Sequence, residues 1–163
     1  MIIVSDTSSI TNLAAINQLH LLKLLYKSII IPQAVYLELT KNNVPGKKEV
    51  QTLSWILTKS VQNKEEVEHI LNSTNNIHLG KIEAIILAIE INANLLLMDE
   101  KRGRNLALSY QLSVTGLLGI LLQAKDKKLI SSVKMLMDDM IKIANFRISK
   151  ELYQKMLNVA QES

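Results

Sequence analysis

Four carboxylates stand where a reactive centre would be built. Asp6 follows a short β-branched apolar run at residues 2–4, and Asp99 closes the apolar run Leu95-Leu96-Leu97-Met98. Runs of this kind read as fully buried strands. In an open parallel sheet, ligands bind beyond the carboxyl ends of the strands, where loops and helix starts converge. Two acids far apart in sequence therefore meet at one spot if their strands are neighbours. Glu38 is a polar residue in the apolar stretch 35–39, and Glu83 lies near the start of a helix opened by Leu79-Gly80, where negative charge is favoured. Carboxylates held together repel one another, and a hard divalent cation such as Mg²⁺ or Mn²⁺, which prefers oxygen ligands, relieves that repulsion. Such a metal would polarise a phosphodiester, lower the pKa of a bound water and stabilise the leaving oxygen. Asp6, Glu38, Glu83 and Asp99 are thus the candidates for both metal-ligating and catalytic roles.

Lys101, Arg102 and Arg104 come directly after Asp99-Glu100, so basic groups able to grip a nucleic-acid backbone would lie beside the acidic pocket. Ser8 or Thr7 could donate a hydrogen bond to a phosphate. Each of these residues also has an ordinary reading. An Asp after a strand is a common helix cap, Glu38 and Glu83 fit solvated helix positions, and the Lys-Arg-Gly-Arg run fits a charged helix face. His20, His69 and His78 lack metal-ligand spacing, and Trp55 and the tyrosines read as packing groups.

The elements that must position these side chains alternate. After the first strand, Thr7 or Ser8 can cap a helix carrying Ile10, Leu13, Leu21, Leu22 and Leu25, with a break near Asn17. A second strand over 28–31 stops at Pro32, which suits the first turn of a helix because that position needs no amide donor. Pro45 and Gly46 break the chain. Residues 49–57 and 65–71 read as two amphipathic helices, 79–92 as an apolar helix feeding the Leu95 strand, 101–110 as a basic helix, 112–114 as a fourth strand, and 117–124 as another apolar helix. The tail from 131 to 162 reads as two helices, 133–144 and 150–160. Strands alternating with helices of this length indicate right-handed crossovers and a parallel sheet, an α/β fold class.

At 163 residues, the chain suits one domain, 1–163, burying roughly two thirds of its unfolded surface. The hydrophobic share is 48%, the mean hydropathy +0.15 and the aromatic share only 4%, so Leu, Ile, Val and Ala must build the core. No apolar run approaches the ~20 residues that span a bilayer, and the start Met-Ile-Ile-Val-Ser-Asp reaches an acid too soon for a signal peptide. We therefore expect a soluble cytoplasmic protein with no membrane partner. The absence of cysteine excludes disulfides and thiolate metal sites. A net charge of +4 and a pI near 9.2 favour a polyanionic partner. The apolar excess leaves room for a homodimer or a buried partner surface.

Taken together, several stretches resemble the PIN-like nucleases, in particular a bacterial and archaeal subfamily found among the toxins of toxin-antitoxin pairs. They are Val4-Ser5-Asp6-Thr7-Ser8-Ser9 with Asn12-Leu13, Ile31-Pro32 through Glu38-Leu39, Glu83-Ala84-Ile85, Leu95 to Glu100, Arg102-Gly103-Arg104, Val114-Thr115-Gly116 and Phe146-Arg147-Ile148-Ser149. The resemblance implies a three-layer α/β/α fold with a central, mostly parallel sheet of four to five strands. It also implies metal-ligating or water-orienting roles for Asp6, Glu38 and Asp99, with Ser8 as a helper. RNA is the implied substrate and a small antitoxin protein the implied partner, so the first hypothesis is a Mg²⁺- or Mn²⁺-dependent endoribonuclease.

One departure opens an alternative. Relatives commonly show Gly-Glu-x-Glu-Ala where this chain has Gly80-Lys81-Ile82-Glu83-Ala84. If the missing acid is a metal-site carboxylate, Lys81 removes an oxygen ligand and adds a repelling charge. If Glu83 is the ligand, little is lost. Positions 81 and 83 lie roughly 200° apart on an unbroken helix, so they cannot replace one another. The alternative is a PIN-like module with weakened catalysis that binds nucleic acid or protein. A nucleotide-binding regulatory domain is disfavoured, because no Gly-rich phosphate loop follows the first strand.

Overall fold

Strands with solvent on neither face must be apolar on both, and the middle of the sheet obeys that rule. In the computed structural model, which describes residues 1–163, the strands are β1 (Ile3–Ser5), β2 (Ile29–Pro32), β3 (Ile56–Lys59), β4 (Leu95–Leu97) and β5 (Val114–Thr115). All pairings are parallel, in the order β3-β2-β1-β4-β5. Val4 sits between Ile30 and Leu96 in register. Alternate side chains point to opposite faces. Ile3, Ile29, Ile31 and Leu97 enter one core, and Val4, Leu96 and Met98 enter the other.

The first core is closed by α1 (Thr7–Ala15), α2 (His20–Tyr26), α3 (Gln33–Lys41), α8 (Leu117–Asp126), α9 (Val133–Ile143) and α10 (Lys150–Val159), with Val50 of α4 (Lys47–Thr52) at its margin. The second is closed by α5 (Lys64–Ser73), α6 (Leu79–Glu90) and α7 (Lys101–Ser109). Helices on both faces of a parallel sheet make the three-layer α/β/α arrangement of the PIN-like fold class. α6 is buried on most sides, including Ile82, Ala84, Ile85, Ile86, Leu87 and Ala88. Each fully buried aliphatic side chain there contributes roughly 1.5–3 kcal/mol relative to an exposed one. No helix is long and apolar enough to cross a membrane.

One expectation fails. Residues 49–57 are not a single amphipathic helix: α4 ends at Thr52, Leu53 turns extended, and β3 begins at Ile56. β3 is an edge strand with one neighbour, so only Ile56 is buried while Leu57, Thr58 and Lys59 face solvent. That pattern carries neither the apolar run nor the clean alternation that marks a strand locally. Pairing with β2 decides it, and Lys59 blunts the open edge.

Elsewhere the breaks fall where the sequence places them. Asn17 takes φ 60° after α1, a left-handed conformation that Asn tolerates better than most residues. The C-terminal helices are fastened by Glu162. Its carboxylate accepts hydrogen bonds from the amides of Val133 and Lys134, the Ser132 hydroxyl and the Lys125 ammonium. Burial alone would raise its pKa, but the Lys125 ammonium and the α9 amides together hold it down to about 2. This clasp fixes α10 against the start of α9.

Candidate active site

The strand order reverses direction at β1 and β4: β2 and β3 lie on one side of that boundary, β5 on the other. The crevice at the carboxyl ends of those two strands is the topological switch point, where open α/β sheets bind ligands. Asp6 follows β1, Asp99 lies two residues beyond β4, and the Asp6 amide donates to the Leu97 carbonyl at 3.1 Å.

Asp6, rather than Thr7 or Ser8, is the N-cap of α1. Its backbone is extended, and Oδ1 accepts from the Ser9 amide at 3.0 Å, satisfying a free donor of the first turn. Oδ2 accepts from the Ser8 hydroxyl at 3.1 Å. Thr7 is thereby left to donate from its own hydroxyl to Glu38 Oε2 at 2.6 Å. Asp99 is held from the other side, with Oδ2 accepting from the Leu117 amide at the start of α8, at 3.1 Å. Gly116 leaves room for the Asp99 and Arg104 side chains, one of which would have to shift for a larger residue. A Cβ at that position would lie 2.5 Å from Asp99 Oδ1 and 2.9 Å from Arg104 Nη1.

The two charged residues at the start of α6 diverge as helical geometry demands. Lys81 turns inward, its Nζ 3.9 Å from Oδ2 of the wholly buried Asp6. Glu83 turns to the start of α3, where its Oε1 accepts from the Ala34 amide at 3.0 Å; Pro32, the N-cap residue of that helix, has no side-chain donor or acceptor to offer. Glu38 accepts from the Gly80 amide at 3.2 Å as well as from Thr7, and a Cβ at Gly80 would overlap its carboxylate.

The cap made by Glu83 leads to a specific expectation. Glu83→Gln keeps the accepting oxygen and should leave the melting temperature nearly unchanged, whereas Glu83→Ala should cost about 1 kcal/mol, as loss of a helix cap does. Thermal unfolding of both variants checks this, and a Gln variant that melts as low as the Ala variant would show that the charge, not the cap, matters.

Electrostatics follow from this packing. Burial raises the Asp6 carboxyl above its usual value, while the Lys81 ammonium and the Ser9 amide oppose the rise. Burial also pushes Asp99 up to about 6, and the neighbouring Asp6 adds to that; the Leu117 amide, Arg104 and Lys81 pull it back. The two aspartates therefore interact, with Lys81 acting on both.

In front of Asp99, with Asp6 buried behind, opens a cleft of about 660 Å³ whose wall includes Ser8, Asn12, Lys81, Asp99, Arg104 and Arg147. Of the basic run, only Arg104 borders it. Lys101 is exposed outside the cleft, and the Arg102 guanidinium points to the Asn75 carbonyl. Glu38 borders an adjoining hollow that shares Lys81 with this one. Asn12, Phe146 and Arg147 also line the main cleft without having been singled out for it by sequence reasoning. Asn12 could have been found, since it lies four residues after Ser8 and so shares its helix face.

The residues present do not fit a resident Mg²⁺ or Mn²⁺. No three Asp, Glu or His side chains come close enough to hold an ion. Both Asp6 oxygens already accept hydrogen bonds, Glu38 is engaged by Thr7 and Gly80, and Glu83 by Ala34. At the mouth of the aspartate pair stands an ammonium where a third oxygen donor would be needed.

A family model, DUF3368, described as a PIN domain, matches residues 2–162. No curated protein and no solved structure matches the chain.

Proposed function

Since the chain belongs to the PIN-domain family, a family of nuclease-type modules, we propose that it is an RNA-binding PIN module whose hydrolytic centre is weakened by Lys81. PIN domains are generally nucleases and typically use divalent metals. The observation that carries the proposal is the 3.9 Å approach of the Lys81 ammonium to the buried Asp6 carboxylate. A cation fixed there already supplies part of the charge that a metal would supply, and it repels a second one. The same ammonium, with Arg104 and Arg147, faces the cleft and suits a phosphodiester backbone. Ser8 and Asn12 add neutral hydrogen-bonding groups to the same cleft.

A second reading keeps full activity: a Mg²⁺- or Mn²⁺-dependent endoribonuclease, the toxin of a toxin-antitoxin pair restrained by a small antitoxin protein. The convergence of Asp6 and Asp99 at the switch point favours it. In that case Asp6, Glu38 and Asp99, with or without Glu83, would have to regroup around the ion, and Lys81 would have to swing out.

One experiment separates the two. Wild-type protein and Asp6→Asn, prepared identically, are incubated with a mixed RNA pool in Mg²⁺, Mn²⁺ or chelator, and both cleavage and filter retention are followed. The expected result is RNA retention that is equal with and without chelator, falls with salt, and is accompanied by no cleavage that the mutation removes. Chelator-sensitive cleavage lost in Asp6→Asn would replace this proposal with the second reading.

A further inference from the structure

The amino end of the sheet holds a second opening. α1 starts at the carboxyl ends of the strands and so finishes at their amino ends, where α2 begins and where Trp55 leads into β3. These segments and α4 line a hollow of about 360 Å³ whose apolar wall includes Ala14, Leu19, Leu53 and Trp55, and whose charged residues are Glu49 and Lys23. Trp55 is the only tryptophan of the chain, half-buried and packed against the first core. Two features of this hollow are unanswered within the protein. Glu49 Oε2 is shielded from solvent and accepts no hydrogen bond. Such an oxygen is destabilising, because the water it has lost is not replaced by another donor. The only other atom in that condition, Ser9 Oγ, belongs to the residue whose amide donates to Asp6, at the other end of the molecule. Lys23 is exposed, and neither it nor Glu49 makes a salt bridge with the other or with any further residue. An unlike pair of charges thus borders one small hollow without meeting across it.

We propose that this hollow binds an apolar α-amino acid, whose ammonium donates to Glu49, whose carboxylate is drawn to Lys23, and whose side chain lies against the apolar wall. A zwitterion carries the complement of both charges in one small molecule. A simple amine would answer Glu49 and be repelled by Lys23, and a simple acid would do the reverse. Hydrogen bonds between ionised groups are the stronger kind, and the last torsion of a glutamate is soft enough for its two oxygens to exchange, so the shielded one can turn to an entering donor. His20 also borders the hollow, three residues before Lys23 and so on the same helix face, and adds a nitrogen donor for the ligand's carboxylate. The volume stands at the small end of the ~300–1,000 Å³ of small-ligand sites, which suits a single amino acid better than a nucleotide or a larger cofactor.

The hollow is separate from the cleft, so RNA plays no part in the test. Because the chain has a single tryptophan, its emission reports on this hollow alone. The full chain is titrated with leucine, isoleucine, valine, methionine and phenylalanine, with isoamylamine as the amine-only control and isovalerate as the acid-only control. Trp55 emission and isothermal titration calorimetry are followed together. At least one of the amino acids should give a saturable change in both, and the two controls should bind roughly tenfold more weakly or not at all. Glu49→Gln, which keeps the shape of the side chain, and Lys23→Met, at an exposed position, should each lose about tenfold in affinity. If no amino acid gives a saturable signal in either measurement, the hollow is not such a site. If they bind and both variants bind as tightly as wild type, the two charges do not hold the ligand and the assignment is wrong. Tighter binding of isoamylamine than of every amino acid would overturn the zwitterion, because Lys23 would then take no part.

Discussion

Replacing Lys81 with glutamate should turn a metal-indifferent protein into one whose melting temperature follows Mn²⁺ concentration. Without metal, Lys81→Glu should melt below wild type, because the substitution removes the only cation within salt-bridge distance of the buried Asp6 and sets a third carboxylate near Asp6 and Asp99. Adding Mn²⁺ should reverse the deficit. At a metal concentration about a hundredfold above its Kd, the gain is about 2.7 kcal/mol. In a chain of this size that corresponds to roughly 5–10 °C. Wild type under the same titration should shift little. Lys81→Met is the necessary companion, since it removes the ammonium without supplying an oxygen and should gain no metal response. Differential scanning calorimetry across a Mn²⁺ series reads all three. A wild type that shifts as far as Lys81→Glu would mean that Lys81 does not stand in the way of the ion.

Asp99→Asn is expected to stabilise the protein at neutral pH in the absence of metal. Burial, with the Asp6 charge adding to it, raises the Asp99 carboxyl from 3.8 to about 6, so ionising it costs more in the folded chain than in the unfolded one. The sign follows. A raised acid leaves stability intact below its unfolded pKa, and that stability is lost as pH rises through the folded value. Each pKa unit corresponds to 1.36 kcal/mol. Because the carboxylate is partly open to the cleft, the usable gain is about 2 kcal/mol rather than the full product. Asn keeps an oxygen to accept from the Leu117 amide, so the α8 start stays capped. Melting curves from pH 4 to pH 8 in chelator should show the variant above wild type at pH 7 to 8 and merging with it near pH 4. An Asp99→Asn protein that melts lower at every pH would show that the carboxylate makes a contact worth more than its burial costs.

A buried aspartate next to a part-buried one that borders a cleft, both with raised carboxyl pKa values, is a common signature of a functional site, where groups are placed for a ligand rather than for stability. The same aspartates also do structural work, capping α1 and α8, so substitutions that keep a side-chain oxygen are the informative ones. This is why Asn is preferred to Ala at both positions.

Much of the arrangement was legible in the chain itself. β1 and β4 are buried on both faces, so they had to be uninterrupted apolar runs, and the acids that close them were visible as Asp6 and Asp99. The amphipathic periods of α5, α9 and α10, the break at Asn17 and the alternation of strand and helix followed from the same local rules. β3 was not legible, because an edge strand buries one residue and takes its conformation from pairing with β2. Nor could the sequence say which of Lys81 and Glu83 faces the aspartates. Helical geometry only required that they point apart, and the packing of α6 against α3 and the sheet chose Lys81 for the cleft and Glu83 for the start of α3. The basic run 101–104 offered three cations of equal standing until Glu100 capped α7 and turned Arg104 alone toward Asp99. Phe146 and Arg147, far from the acids in sequence, reach the cleft only because α9 packs on α1 and α8, and the Glu162 clasp fixes α10 to the start of α9. Local sequence fixes the period of an element and the residues at its ends; the direction in which a given side chain points is set by the surfaces that the element must bury, and those come from distant parts of the chain.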